Sequence, residues 1–343
     1  MRPFDVTVIR WSVMPELSIA FQGNKQYEEY AALGALAEEL GFDAISVYAD
    51  LGFQPAIVPL LAIARATSRI RIGPAALNPF LLHPVEIAGQ IAALDSASDG
   101  RAYLGLARGA WLDQIGVESD RPLLRIRECV SVVRHLLEGR DDGFTGAIYQ
   151  LPGGRMLQYP VLRPNVPLLI GSWGERLLAY AGEVADEVKV GGSTNPDLVS
   201  TIRARVAPGA IAAERSPESI GIVFGAVTVC DEDGAGARAH ARREVARYLP
   251  VVAPLDPTVD IPAVHLSRMA AFVQEEDLDA AAALVPDDIL DRFAFSGTPA
   301  QIVRQATALF DAGVTRIEFG TPHGFTDGGG AKLLGERVLP ALR

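Results

Sequence analysis

The sequence alternates β-type and helix-type segments along its length, and this alternation restricts the possible folds more than any other feature. Tyr27–Leu40, for example, has apolar residues at helical spacing and ends at Gly41. Strands are predicted at eight places: Asp5–Arg10, Asp43–Ala49, Arg69–Leu77, Ala102–Arg108, Pro167–Gly171, Glu187–Gly192, Ile220–Val229 and Thr315–Gly320. A helical stretch follows each strand, which is typical of a parallel sheet covered by helices.

Eight βα units can close into a (β/α)8 TIM barrel, and an open, doubly wound sheet is the alternative. No Pro-rich or Ser-rich linker divides the chain, so we predict that residues 1–343 form one barrel domain. Two segments are longer than the connections require. Residues 143–160 have the composition of a hairpin, with a Pro-Gly-Gly turn between aromatic-bearing flanks, and residues 235–293 are Ala-rich and mostly helical. We expect both segments to be insertions into the barrel.

Charge and cysteine content exclude several classes of protein. The 343 residues include 31 Lys and Arg against 42 Asp and Glu, a formal net charge of −11, which argues against binding to nucleic-acid phosphates. The two cysteines, Cys129 and Cys230, lack the spacing of a disulfide scaffold or a zinc ribbon. The chain has no signal-peptide pattern and no apolar run near the roughly 20 residues of a membrane span, so we expect a cytoplasmic protein.

Two Gly-rich loops follow neighbouring predicted strands, and each opens a helix. They are Gly171–Glu175 and Gly191–Asn195. Glycines let backbone N–H groups approach an anion closely, and the dipole at a helix N-terminus favours negative charge. The loops therefore predict a phosphate site, although the same composition also occurs in plain tight turns.

The motifs of several other enzyme classes are missing from the sequence. It contains no GxxxxGK[ST], GxGxxG, GxSxG or HExxH pattern, and its five histidines have no metal-ligand spacing. We therefore predict no metal site. A barrel with a phosphate site but without these groups favours a bound organic cofactor, which would supply the reactive chemistry.

An ordered set of short motifs makes the chain similar to a known family. Gly73-Pro74 begins a GP-x-x-x-NP-x-x-x-HP string that ends at His83-Pro84, and the string is followed by LDSASDGR at Leu94–Arg101 and by Gly297-Thr298-Pro299. This set resembles the luciferase-like monooxygenase superfamily over almost the whole chain. The GP…NP…HP string is most similar to the branch typified by methylenetetrahydromethanopterin reductase, which uses the 8-hydroxy-5-deazaflavin coenzyme F420 rather than FMN.

The resemblance implies a bacterial-luciferase-like barrel, a homodimer, and hydride transfer between coenzyme F420 and a small organic substrate. It also implies a non-prolyl cis peptide at Ala75–Ala76, directly behind the deazaflavin ring. The candidate cofactor residues, from the resemblance and from the Gly-rich loops together, are Asp50, Ala75, Ala76, Asn78, Gly171, Ser172, Trp173, Gly174, Glu175, Gly192, Ser193 and Thr194.

Two positions depart from the pattern of the relatives. Ala110 stands where relatives with an acid/base group carry a carboxylate, and Asp50-Leu51 stands where several carry Asp-His. Asp50 is then the best-placed carboxylate for proton transfer. Two other hypotheses are kept open: an FMN-dependent monooxygenase that uses oxygen, and a barrel that binds a cofactor without catalysis.

Overall fold

Eight parallel strands form a barrel in the computed structural model, which describes residues 15–326 and 328–343. The barrel strands are β1 (Glu16–Phe21), β2 (Ala44–Val47), β3 (Arg71–Pro74), β4 (Leu104–Ala107), β7 (Leu168–Gly171), β8 (Glu187–Gly191), β9 (Gly221–Cys230) and β11 (Arg316–His323). Strand β1 pairs with both β2 and β11, and the ladder continues from β11 through β9, β8 and β7 to β4. Two isolated bridges, Ile72 to Ala102 and Leu77 to Leu106, join β3 to β4 and complete the circle. The barrel prediction is confirmed.

Helices cover the outside of the barrel. They are α1 (Tyr27–Leu40), α2 (Ile57–Ala66), α3 (Pro84–Ala97), α4 (Pro122–Leu137), α5 (Glu175–Val184), α6 (Val199–Ala212), α7 (Gly234–Val252), α8 (Ala263–Gln274), α9 (Leu278–Ala282), α10 (Asp287–Phe293), α11 (Pro299–Asp311), α12 (Gly329–Leu333) and α13 (Leu339–Leu342). The main apolar core lies between the outward-facing strand residues, such as Ile19 and Ile317, and these helices except α7 to α10. Helices α7 to α10 form a second apolar cluster. Within the described ranges, none of the helices is both long enough and apolar enough to cross a bilayer.

The first barrel strand lies later in the chain than predicted. Asp5–Arg10, the predicted first strand, lies outside the described residues, and the first strand of the barrel is β1, whose sequence is ELSIAF. Its apolar residues Leu17 and Ile19 join the outer core, whereas Ser18 bonds with the interior side chain of Arg316. The small interior residues make this strand look polar and weakly β-forming, which is why composition did not reveal it.

The segment 143–160 contains two short antiparallel strands, β5 (Phe144–Thr145) and β6 (Gln150–Leu151). Their turn is residues 146–149, so the prediction that Pro-Gly-Gly forms this turn is wrong. The carboxylate of Glu128 on α4 accepts hydrogen bonds from the amides of Ala147, Ile148 and Tyr149 at 2.7–2.9 Å. The carboxylate of the preceding helix therefore fixes the turn, and the composition of the turn itself does not indicate this contact.

The segment 235–293 folds into α7 to α10, and a strand that the sequence did not predict follows it. This strand, β10 (Ala294–Gly297), pairs in parallel with Val227–Cys230 at the end of β9. Because β9 has 10 residues and β8 has only five, the last part of β9 extends beyond its neighbour and accepts β10 there. The helical segment is thereby anchored above the carboxyl end of the barrel.

At the opposite end of the barrel, Glu38 at the end of α1 holds the connection between α2 and β3. Its carboxylate accepts hydrogen bonds from the amides of Ser68, Arg69 and Ile70 at 2.6–3.1 Å. Burial alone would raise the pKa of Glu38, but these hydrogen bonds outweigh it and lower the pKa to about 2.

We predict that Glu38→Gln destabilises the protein in a pH-dependent way. Because the folded-state pKa lies below the ordinary value of 4.5, the stabilisation is complete above pH 4.5 and is lost as the pH falls towards about 2. Thermal unfolding at neutral pH should show a melting temperature lower by about 2–4 °C, a difference that narrows in acid. Glu39→Gln, at the neighbouring exposed position, is the matched control. An equal loss at all pH values would contradict this role of the carboxylate.

Candidate active site

A cavity of about 1330 Å³ opens at the carboxyl ends of the barrel strands. Small residues at these ends leave the upper barrel empty: Ala75, Ala107, Gly171, Gly191 and Gly225 all line the cavity. A methyl group placed on Gly191 would have no neighbour within 4 Å, so this position faces open space. In a filled barrel these positions would hold branched side chains that pack against one another. The strand ends are therefore shaped to hold a ligand.

The backbone after β3 approaches the cavity through a non-prolyl cis peptide between Ala75 and Ala76, as predicted. This bulge lies between two strands: the amide of Ala75 donates to Val47 on β2, and the amide of Leu77 donates to Gly105 on β4, both at 2.9 Å. A Cβ at position 105 would lie 2.1 Å from the carbonyl oxygen of Pro74, so only glycine allows this approach. The bulge presents two methyl groups and backbone atoms to the cavity.

A buried ion pair forms the floor of the cavity. The Lys189 ammonium on β8 donates to the Glu318 carboxylate on β11, and Ser46 donates to the other carboxylate oxygen. The Lys189 side chain is 9% exposed, and that of Glu318 is fully buried. Gly225 makes room for the pair, because a Cβ there would lie 3.2–3.3 Å from both side chains. Tyr48 completes the floor, with its ring centroid 5.2 Å from the ammonium.

A second ion pair lies below the first one inside the barrel. Arg316 donates to both oxygens of Glu187, at 2.9 and 2.6 Å. Burial alone would raise the pKa of Glu318, but the charges of Lys189 and Arg316 outweigh it and hold the pKa below its ordinary value. Burial raises the pKa of Tyr48 well above its ordinary value. At neutral pH the floor thus places an ionised carboxylate and a neutral phenol beside the Lys189 side chain.

The rim of the cavity is predominantly cationic, in contrast to the net charge of the chain. Five basic residues line the cavity, counting Lys189 on the floor, against two acidic ones, Asp50 and Glu175. The basic residues of the rim are Arg108, Arg121, Arg127 and Arg176. Arg121 is paired with Asp120 and Arg127 with Glu183, so the excess of positive charge at the rim comes from Arg108 and Arg176. The N-terminus of α5, which begins at Glu175, also opens onto the cavity and adds a positive helix-dipole end. This charge distribution suits an anionic ligand.

Comparison with known proteins agrees with this geometry. Residues 10–316 match the family model described as luciferase-like monooxygenase. The chain belongs to the luciferase-like monooxygenase family. Its sequence is 29% identical over 339 residues to 5,10-methylenetetrahydromethanopterin reductase of Archaeoglobus fulgidus, covering 96% of this chain and 100% of that protein. It is 27% identical to F420-dependent glucose-6-phosphate dehydrogenase of Nocardia farcinica, covering 90% and 93% of the two chains.

Solved structures of other proteins share this fold. The coenzyme F420-dependent tetrahydromethanopterin reductase of Methanopyrus kandleri superposes with a TM-score of 0.86 at 25% identity, covering 96% of this chain and 100% of that one. An F420-dependent secondary alcohol dehydrogenase in complex with an F420–acetone adduct superposes with a TM-score of 0.77 at 20% identity, covering 96% and 99%. The predicted resemblance to the luciferase-like superfamily is confirmed.

Ten of the twelve predicted site residues line the cavity of this luciferase-like barrel. They are Asp50, Ala75, Ala76, Asn78, Gly171, Ser172, Trp173, Gly174, Glu175 and Gly192. Asp50 is exposed at the rim, where its carboxylate accepts a 2.8 Å hydrogen bond from Gln22. Trp173 forms part of the wall and donates from its indole nitrogen to the carbonyl of Gly191 at 3.1 Å. Asn78 is buried, and its side-chain oxygen accepts from the amides of Phe80 and Leu81.

The other two predicted residues, Ser193 and Thr194, lie behind the cavity wall. The amide of Thr194 donates to the carbonyl of Arg292 at 2.8 Å, and its hydroxyl donates to the carbonyl of Asp291 at 2.9 Å. The Ser193 hydroxyl accepts from the amide of Asn195 at 3.2 Å. The Ser193 hydroxyl also donates to the carbonyl of Arg292, at 3.4 Å, so both residues join the β8 loop to the end of α10. In this structure both side chains are used in contacts with the helical insertion, and their predicted role at the cofactor stays a prediction.

Sequence reasoning missed the floor residues Tyr48, Lys189 and Glu318, although β8 and β11 contain a signal. Charged and apolar residues alternate in Glu187-Val-Lys189-Val and in Arg316-Ile-Glu318-Phe. Successive strand residues face opposite sides, and helices cover the outer side, so the charged residues must point into the barrel. The alternation therefore indicates which charged residues face the barrel interior, but it does not show which of them form ion pairs with each other.

We predict that Lys189→Met destabilises this barrel by about 3 kcal/mol or more, because it leaves the buried Glu318 carboxylate without its ammonium partner. The double variant Lys189→Met with Glu318→Gln should recover most of this loss, since no unpaired charge remains. Denaturant unfolding of the wild type, both single variants and the double variant measures the coupling. Additive losses would show that the two side chains do not stabilise each other.

Proposed function

We propose that this protein is a coenzyme F420-dependent oxidoreductase that transfers a hydride between the deazaflavin and a small organic substrate. The observation that supports the proposal most strongly is the cavity at the carboxyl ends of the strands, which small residues leave open and which the backbone at Ala75 and Ala76 lines. A flat ring system needs such an open slot with an apolar backbone wall. The F420-dependent relatives align with the chain over at least nine-tenths of its length.

The residues present fit such a cofactor in shape and in charge. The bulge at Ala75–Ala76 offers a face for the ring, and Trp173 forms another part of the cavity wall. The cofactor phosphate would lie at the N-terminus of α5, next to Ser172, Gly174 and Arg176. When bound, the deazaflavin supplies the hydride acceptor or donor, and the protein supplies orientation, charge and exclusion of water.

Proton transfer is the part of the reaction that this chain must arrange differently from its relatives. Ala110 lines the cavity and has no ionisable group. We propose Asp50 as the catalytic acid or base, because its carboxylate is at the rim of the same cavity. Gln22, after β1, holds one carboxylate oxygen in place and leaves the other available.

Two other functions are distinguished by cofactor binding. An FMN-dependent monooxygenase would bind FMN tightly and F420 negligibly, and a non-catalytic barrel would bind F420 without any turnover. We expect wild-type protein to bind F420 much more tightly than FMN in fluorescence titrations. Reduced and oxidised F420 should then be tested against carbonyls, imines, activated alkenes and alcohols. Preference for FMN, or failure to turn over any of these, would contradict the proposal.

We also propose, from the family resemblance, that the protein is a cytoplasmic homodimer with one barrel domain in each subunit. Light scattering of the purified protein tests the dimer, and limited proteolysis tests the single domain. A monomer in solution would contradict the first part, and stable independent fragments would contradict the second part.

The phosphate position is tested by adding charge at Gly174. We predict that Gly174→Asp weakens F420 binding by about tenfold or more, because it places an anion at the positive end of α5. The substitution is sterically possible, since a Cβ there would come no closer than 3.7 Å to the Ser172 hydroxyl oxygen. Gly174→Asn, which has the same size without the charge, should bind nearly as tightly as the wild type. Equal dissociation constants for Asp and Asn would remove the phosphate from this position.

The role of Asp50 is tested by Asp50→Asn. We predict a turnover number at least about tenfold lower with unchanged F420 affinity, which is a smaller loss than a fully positioned acid gives because water can substitute. Asp113→Asn is the matched control, since Asp113 is exposed on the loop after β4 and does not line the cavity. Normal turnover of Asp50→Asn would exclude Asp50 as the acid.

A further inference from the structure

Lys189 differs from the other basic residues of the cavity by its depth. The four arginines lie at the rim, whereas Lys189 reaches the floor from β8 with a side chain that is 9% exposed. Its ammonium group has three donors, and Glu318 accepts one of them. The face of the Tyr48 ring lies beside it. A ligand that fills the cavity down to the floor must therefore meet a cation.

The pair has a fixed orientation with respect to the cavity. Lys189 lines the cavity, but Glu318 does not, and Ser46 holds the carboxylate from the other side. Arg316 approaches the same carboxylate to 3.9 Å from below. The positive end of the pair consequently faces the cavity, and the negative end is shielded by protein donors.

Resting on the proposed function, we propose that Lys189 favours the deprotonated, anionic form of the bound deazaflavin ring. The ring hydroxyl of an 8-hydroxy-5-deazaflavin is acidic, and the charge of its anion is delocalised through the conjugated system. A cation within about 4–6 Å lowers the pKa of such a group by about 1–3 units. Lys189 is then a residue that selects the protonation state of the cofactor, which a neutral floor would not do.

Several other ionisable groups lie around the floor formed by Lys189, Glu318 and Tyr48 and contribute to the electrostatic field there. They are Tyr48 and Asp50 around the end of β2, Tyr103 before β4, Glu187 on β8, Arg316 and Glu318 on β11, and Tyr248 on α7. Burial raises the pKa of Tyr48 well above its ordinary value and raises that of Tyr103 to about 12, so both stay neutral across the range of the test. Arg316 is paired with Glu187. At the floor, the experiment therefore changes only the charges of the Lys189–Glu318 pair.

The experiment measures the absorbance of protein-bound F420 as a function of pH, which needs no substrate. The apparent pKa of the bound chromophore should be lower than that of free F420 by about one unit or more. Lys189→Met should raise it, because the carboxylate below is then unopposed. Glu318→Gln should lower it further, because the ammonium then acts alone. The double variant should lie between the wild type and Lys189→Met.

This opposite response distinguishes an electrostatic role from general damage to the floor, which would move both variants in one direction. Arg176→Met is the matched control: it removes an exposed cation of the same cavity, so binding weakens but the chromophore pKa stays unchanged. If Lys189→Met fails to fold, the downward shift in Glu318→Gln still tests the proposal. Identical chromophore pKa values in wild type and Glu318→Gln would overturn it. If the wild type does not bind F420, the proposed function itself fails.

Discussion

The buried ion pair between Lys189 and Glu318 marks the level at which the barrel interior changes from filled to empty. Below it, Arg316, Glu187 and Tyr103 occupy the space between the strands. Above it, small residues at the strand ends leave the cavity open. A pair of charges inside a protein costs free energy unless its partners are fully provided, so the donors on β2 and β11 must be in register with β8. The ladder of the barrel supplies that register.

The bulge after β3 also depends on residues without side chains at closely packed positions. Gly73 admits the Tyr103 ring, and Gly105 admits the carbonyl of Pro74, since a Cβ at either position would collide with the group it faces. With these contacts made, the chain can turn through the Ala75–Ala76 peptide at the cavity wall. The shape of the site therefore depends on small residues as much as on functional groups. The arginines at the rim favour a negatively charged ligand.

The sequence predicted the elements that have a strong local signal. Tyr27–Leu40 was predicted at the bounds that the helix has, because its apolar spacing and the glycine after it are both local features. β1 was missed because its interior residues, Ser18 and Ala20, are small and interrupt the β-type pattern. β10 was missed because it forms by pairing with the extended end of β9, which its own sequence does not indicate. The position of Ser193 and Thr194 depends on α10, about 100 residues away, and no pattern in their own loop encodes that contact. The cis peptide came from the family resemblance and not from the residues alone.

We propose that the open upper part of the barrel holds a deazaflavin ring against the Ala75–Ala76 bulge, above Lys189. A crystal structure of the protein with coenzyme F420 is the decisive measurement. We expect ring density in contact with both alanines and phosphate density at the N-terminus of α5. Density for the ring outside the barrel mouth, or for the phosphate away from Ser172 and Gly174, would contradict this placement.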